Sequence, residues 1–300
     1  MTAWLVVATL LCLSCVRALP LAHRAVMVTS MSASIIPAEG EHLTTGWEPD
    51  LPAGDTLVRR AVLAHASWPV RVAGGAGRPW RSGAQWAGGW IGDRGALTNP
   101  VVLLAPLTHP AETLRDISAL FPPQVPYLLI SAWPTPDLRP HGLALLGHPP
   151  LMVRFPSPRP DVPRAQADVH EVTDVDELVV AERVLVEGYP MPELEPLKPG
   201  DLLGPSLLQP DTRVWLAWVD GQPVAVAAAH QQAGVTLVEY VATLSAARGR
   251  GAGAAVIWAA TVADPAAPAV LIASDDGRPV YERLGYIAVE RWTVWLRPQQ

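Results

Sequence analysis

The stretch Glu239–Thr261, EYVATLSAARGRGAGAAVIWAAT, constrains the fold more tightly than any other part of the chain. Residues that favour strands run to Thr243. A turn with glycines at 249, 251 and 253 follows, and alanine-rich helix formers begin inside it. A strand, a glycine loop and a helix in that order aim several unpaired backbone N–H groups, and the positive end of the helix, at one point. Glycine there lets phosphate oxygens approach the backbone where a Cβ would otherwise stand. Arg248 and Arg250 add positive charge to the same turn. The pattern describes a phosphate cradle; the alternative is a glycine-rich turn that merely packs a helix.

The type of phosphate ligand can be narrowed by what surrounds the turn. No Gly-Lys-Ser/Thr occurs, so a P-loop is excluded. Gly249, Gly251 and Ala254 do satisfy the G-x-G-x-x-A of a dinucleotide site. That motif needs further strand–helix units downstream and an acid about 20 residues on. Only 47 residues follow Gly253, and Asp264 comes too early.

A second motif lies downstream. Tyr281-Glu-Arg-Leu-Gly-Tyr286 sits one helix and one strand beyond the glycine turn, and a hairpin signal, Asp220-Gly221, precedes the strand. With Arg248, Gly251 and Gly253 placed as in Gln/Arg-x-x-Gly-x-Gly/Ala, residues 168–300 resemble the GNAT superfamily of acyl-CoA N-acyltransferases. The resemblance implies a mixed α/β fold with a central mixed sheet flanked by helices. It also implies acetyl-CoA as co-substrate. Val241, Ala242 and Thr243 would pair with the pantetheine arm. The loop Arg248, Gly249, Arg250, Gly251, Ala252, Gly253 and Ala254 would hold the pyrophosphate, and Ser274 would add a cofactor contact. Tyr281 matches the family's acid for the departing thiolate. Glu239, two residues before Val241 and so on the same strand face, is the candidate base. Where the family often has Asn, this chain has Ser274-Asp-Asp-Gly277, which leaves the contact there open; Asp275 and Asp276 could instead face a cationic acceptor.

The expected function is transfer of an acetyl group to the amine of a small-molecule or peptide acceptor. A non-catalytic acyl-CoA-binding sensor is the alternative. The acidic residues Glu187, Glu193, Glu195 and Asp201 around the proline-rich loop 189–210 would favour a cationic amine.

Elsewhere the chain divides by composition. Residues 1–31 begin with an apolar run to Val16, too short to span a bilayer and lacking a basic start. It reads as signal-like, as an anchor, or as a start placed too early, with Met27 and Met31 as other starts. The cytoplasm is the expected location, membrane attachment or secretion following only if that run is genuine. Cys12 and Cys15 lie inside it, and no cysteine follows, so neither a disulfide framework nor a zinc pair is expected. His170-Glu171 lacks the second histidine of HExxH, and no metal site is expected. With a net charge of −6, nucleic acid is not an expected partner.

Residues 54–155 suggest a helix over 56–66 capped by Asp55, short Trp-rich strands over 74–95, strands at 100–107 and 126–133, and a helix at 111–120. A final strand before 155 would close that sheet. The segment is loosely similar to a degenerate N-terminal GNAT lobe, with residues 156–167 as linker. Its tryptophans read as core, with a role in walling an acceptor pocket, and its loop residues His141 and His148 as structural. After the linker come a strand at 169–172, a helix capped by Thr173 or Asp174, the proline-rich loop, a hairpin, a strand at 235–243, a helix at 250–263, a strand at 269–274, a short helix at 279–284 carrying Tyr281, and one last strand at 287–296.

Overall fold

A computed structural model describes residues 56–157, 167–189 and 191–299. The leader, the Asp55 cap and linker residues 158–166 lie outside the described residues. The first helix, α1 (Leu57–Gly75), takes Thr56 as its cap, whose hydroxyl accepts the Arg59 N–H at 3.1 Å. It runs well past the expected end, through Pro69. The proline removes one helical hydrogen bond, but Trp68, Val72 and Ala73 on either side are buried and hold the helix to its neighbours. Strands β1 (Trp80–Ser82), β2 (Trp86–Gly89) and β3 (Pro100–Leu103) follow, then α2 (Pro110–Leu120), β4 (Tyr127–Ser131), β5 (Ala144–Gly147) and β6 (Pro150–Arg154). Gly89 is required by the packing of α1 on β2, because a Cβ there would stand 2.3 Å from the Pro69 carbonyl oxygen.

The second half supplies β7 (Asp168–Glu171), α3 (Val175–Gly188), β8 (Thr212–Val219), β9 (Gln222–Gln232), β10 (Val235–Thr243), α4 (Ala252–Thr261), β11 (Ala269–Ile272), α5 (Arg278–Arg283), β12 (Ile287–Arg291) and β13 (Thr293–Arg297). Asp174 caps α3 by accepting the Glu177 N–H. Asp220 and Gly221 both adopt positive φ, 53° and 72°, as a tight hairpin between β8 and β9 requires.

The strands form two mixed sheets, one ordered β1-β2-β3-β4-β13-β5 and the other β12-β6-β11-β10-β9-β8-β7. Each has one parallel pair, β3/β4 and β10/β11. The mixed α/β class follows from this arrangement.

The sheets exchange strands across the expected linker. Strand β6, expected to close the first sheet, lies in the second between β11 and β12. The single last strand expected over 287–296 is two strands: β12 stays in the second sheet, and β13 enters the first between β4 and β5. The break is Trp292, which is fully buried and donates its backbone N–H to the Pro149 carbonyl at 3.0 Å. Pro149 is the residue just before β6, so the two segments leave their own sheets at the same point. The buried core accordingly runs across both halves: Ala64, Trp68, Leu178, Val226 and Trp292 belong to one apolar cluster.

Candidate functional site

Strand β10 pairs with β11 only at Thr236 and Leu237. Beyond that point the two strands diverge, so residues 238–243 have no strand partner on that side. On the other side β10 follows β9, but its register slips between Glu239 and Ala242. The slip is a bulge centred on Tyr240, whose φ of +51° is unusual for a bulky residue and marks a backbone held against its preference. Part of the restraint comes from Trp68 of α1, which meets the Tyr240 ring edge-on at 5.1 Å. The result is an extended segment, Val241–Thr243, with an edge open to a ligand that can pair like an added strand.

That edge opens into a cleft of about 1090 Å³ lined by both halves of the chain. The glycine turn forms its floor, and the three glycines have separate reasons to be glycine. Gly249 and Gly251 have φ of +79° and +84°. Gly251 is also the N-cap of α4, and no side chain caps that helix, so its first N–H groups stay open to a ligand. Gly253 is a close approach, since a Cβ there would lie 2.6 Å from Thr243 Oγ1.

Of the residues expected to contact the cofactor, Val241, Ala242, Thr243, Arg248, Gly249, Gly251, Gly253, Ala254 and Ser274 line the cleft; Arg250 and Ala252 do not. Arg250 is ion-paired with Asp220 of the hairpin at 2.9 Å. Ala252 is the first residue of α4, and its methyl is fully buried in the core. Arg248 donates to the carbonyls of Gly188 at 3.0 Å and Thr243 at 3.3 Å, so its guanidinium fastens the turn to α3 and β10. The cradle is therefore chiefly backbone. Ser274 lies at the end of β11, and its Oγ accepts the Gly277 N–H at 3.0 Å, shaping the turn into α5.

Both candidate catalytic residues also line the cleft. Burial raises the Glu239 carboxyl to about 7, with the Tyr240 backbone hydrogen bond pulling the other way. Its side chain keeps 28% of its exposure. A carboxyl titrating near neutrality is suited to take a proton at physiological pH. Tyr281 is raised above its ordinary value, first by burial and then by the charges of Glu239 and Tyr189, so its phenol stays protonated. Its ring packs edge-on against Tyr286 at 5.8 Å.

The opposite wall was not legible in the sequence. His65 and Trp68 of α1, together with Leu97, Val102, Leu128 and Ile130, face the cleft. His65 Nε2 lies 3.8 Å from Glu239 Oε1. Nothing local distinguishes this histidine from any other in an amphipathic helix. The expected contribution of the tryptophans is corrected: Trp80, Trp86 and Trp90 do not line the cleft. Trp86 is buried and donates its Nε1–H to Asp116, while Trp80 is half exposed. His148 does line the cleft, and His141 does not.

The acidic residues expected to draw in a cationic amine are also displaced. Glu187, Glu193, Glu195 and Asp201 do not line the cleft, and Asp201 pairs with Arg78 at 3.3 Å. Loop 189–210 instead contributes Tyr189, Met191 and Leu202. It is held by Glu182, a fully buried carboxylate that accepts N–H groups from Gly200 at 2.7 Å, Leu202 at 2.5 Å and Leu203 at 3.2 Å. Burial raises that carboxyl, and the three N–H donors oppose the rise. Among the described residues, no group of His, Cys, Asp or Glu is placed to hold a metal ion, and no helix is long and apolar enough to cross a membrane.

Comparison with known proteins agrees with this geometry. No curated protein matches the sequence. Among solved structures, a GCN5-related N-acetyltransferase from Kribbella flavida is 25% identical, with 80% of this chain and 96% of that one covered at a TM-score of 0.56. A putative GNAT-family acetyltransferase from Novosphingobium aromaticivorans is 17% identical and shares the fold, covering 80% of this chain and 99% of that one at a TM-score of 0.53. Both alignments cover more of this chain than its second half. The family model for acetyltransferases (GNAT) matches residues 178–286, a span that runs from α3 through the bulged strand and the glycine turn to Tyr286. Residues 178–286 of this chain are thus a domain of the acetyltransferase (GNAT) family.

Proposed function

We propose that this protein transfers the acetyl group of acetyl-CoA to the primary amine of a small molecule whose body is neutral and apolar. The observation that carries this reading is the meeting, in one cleft, of the unpaired edge of β10 and the uncapped start of α4. An extended arm bearing amides suits the first, and a pyrophosphate suits the second. The opposite wall selects the acceptor. Leu97, Val102, Leu128, Ile130, Met191 and Leu202 bring no charge to it. Asp275 and Asp276 also line the cleft, but on the side of the turn into α5, where Asp275 pairs with Arg291 at 3.2 Å. The body of the acceptor therefore meets an apolar surface.

The chemistry needs little beyond placement. The neutral amine attacks the thioester carbonyl carbon, and the new C–N bond forms as the carbonyl π pair moves to oxygen. Glu239 takes the surplus proton from nitrogen, directly or through one water. As the carbonyl reforms, the C–S bond breaks, and the Tyr281 phenol gives its proton to the departing thiolate. Return of the Glu239 proton to the Tyr281 phenolate, through solvent in the cleft, restores the starting state. The products are an amide and free coenzyme A.

Calorimetric titration of acetyl-CoA into the full chain, with NAD and ATP as controls, tests the cradle first. Release of free coenzyme A with a panel of amines then tests transfer. Binding of acetyl-CoA but not of the controls, followed by turnover with arylalkyl or aliphatic monoamines, is the expected result. Binding without turnover on any amine would favour an acyl-CoA sensor instead. No binding at all would reduce residues 248–253 to a structural turn.

A further inference from the structure

His65 lies outside the residues that the GNAT family model matches, yet its Nε2 comes within 3.8 Å of Glu239 Oε1. Its ring is 3% exposed and is fixed on three sides. Nδ1 is 2.8 Å from the Ala61 carbonyl oxygen one turn back. A carbonyl can only accept, so Nδ1 carries the proton and donates it. The indole of Trp292 meets the ring edge-on at 4.9 Å. Nε2 has no hydrogen-bond partner and faces Glu239 Oε1 at 3.8 Å. That distance is longer than a hydrogen bond and leaves the buried Nε2 lone pair unsatisfied, while Glu239 has the Tyr240 backbone hydrogen bond. A proton on the carboxyl, with a small side-chain rotation, would give Nε2 the donor it lacks.

We infer that His65 is a positioning residue for the base: its bare Nε2 accepts the hydrogen bond of the protonated Glu239 carboxyl and so sets the pH range in which Glu239 can take a proton. As a functional claim this rests on the reading of Glu239 as the base. The proton resides on the carboxyl, not on the ring, because burial depresses His65 to about 4 while Glu239 is raised to about 7. A hydrogen bond made only by the neutral carboxyl favours that form and raises the midpoint of Glu239. The other groups acting on this pair come from each packed element. Tyr240 lies on the same strand, Tyr281 comes from α5, and Tyr189 from the end of α3 acts on Tyr281. Glu182 of α3 acts on Tyr240. The phenols of Tyr240 and Tyr281 are held neutral, and His65 is the group that offers Glu239 a buried, unpartnered acceptor.

The experiment is a ¹³C NMR titration of the full chain labelled at the glutamate carboxyl carbons, with Glu239 identified as the resonance lost in Glu239→Gln. Burial alone accounts for a value of about 7, so the wild-type carboxyl should titrate above it, and in His65→Phe the midpoint should fall back toward it by about one unit. His65→Leu should give the same fall and guards against a Phe variant that does not fold. A ¹⁵N measurement of the wild-type ring needs no folded His65 variant. It should show Nδ1 protonated and Nε2 bare at pH 7. An unmoved Glu239 midpoint in both variants, or a protonated Nε2 at pH 7, would overturn the inference. None of these readouts needs an acceptor or turnover. Full activity in Glu239→Gln would remove Glu239 as the base while leaving the His65–Glu239 hydrogen bond to stand or fall on the titration.

Discussion

The two walls of the cleft work by different means. The wall built from β10, the glycine turn and α4 acts through backbone: an unpaired strand edge, positive φ at Gly249 and Gly251, and a helix start without a cap. The wall built from α1, β3 and β4 acts through side chains: an apolar surface and one histidine held by Ala61 and Trp292. A backbone device demands particular residues, since only glycine adopts those angles cheaply. A side-chain wall can be made from many residues, provided volume and polarity are kept. The first kind of surface therefore leaves a motif in the sequence, and the second leaves none.

The test with the largest expected effect asks whether the two walls meet at Glu239. Glu239→Gln keeps the shape but cannot take the proton, so turnover should fall about 10²–10⁴-fold with acetyl-CoA affinity unchanged by calorimetry. The working form of the wild-type base is the carboxylate. Its activity should therefore be full above pH about 7 and be lost as pH falls through that value. An unchanged rate in the variant would leave the backbone wall as a binding device only.

The exchange of strands ties the walls together, and Trp292 is its crossing point. Trp292→Ala opens a cavity where β12 hands over to β13 and removes the edge contact with His65. A fully buried indole of this kind should be worth about 3–5 kcal/mol, read as a lowered midpoint in urea unfolding. If the loss proved small, the halves would be held together mainly by the α1 interface, and the crossing would be incidental.

The sequence reading fared unevenly for the same reasons. Strand β10 was placed residue for residue, and the hairpin at Asp220-Gly221 and the Tyr281 helix nearly so, because each has its own local signal. The single strand expected over 287–296 and the placement of β6 both failed. Sheet membership depends on which partner a strand finds, and neither alternation nor propensity encodes that. Glu182 shows the same limit. A carboxylate on the buried side of α3 looks like an error in the apolar pattern until the loop it anchors is seen. Arg250 shows the reverse: its position in the motif suggested a phosphate contact, whereas Asp220, thirty residues away, holds it elsewhere.

The backbone wall can be tested alone through Gly251. Its φ of +84° is strained for any β-branched residue, and its position at the helix start is where an anion would rest. Gly251→Val should weaken acetyl-CoA binding about 100-fold, equivalent to about 2.7 kcal/mol, with the Glu239 midpoint unchanged because it lies outside the turn. Arg250→Ala is the control from the same loop. Since Asp220 already holds that side chain, affinity should change by less than about twofold. Equal losses in both would mean that charge matters there and that the arginine swings into the cleft when the ligand arrives.

Of the two candidate catalytic residues, Tyr281 has the smaller expected effect. The phenol is held protonated, so it can donate at neutral pH. What it donates to, however, is a good leaving group, because a simple thiol has a pKa of about 8.5 and its thiolate departs without much help. Removing the acid therefore costs far less than removing the base: Tyr281→Phe should lower kcat about tenfold, about 1.4 kcal/mol. Acetyl-CoA affinity should be unchanged, since the ring keeps its edge contact with Tyr286. The wild-type loss of rate as pH falls through about 7 should persist in Tyr281→Phe, where Glu239 is still the base, and disappear in Glu239→Gln, where no carboxyl is left to protonate. Keeping or losing that limb separates an acid from a base within one cleft. An unchanged kcat in Tyr281→Phe would leave proton delivery to solvent and the chemistry to the strand edge, the glycine turn and the Glu239–His65 pair.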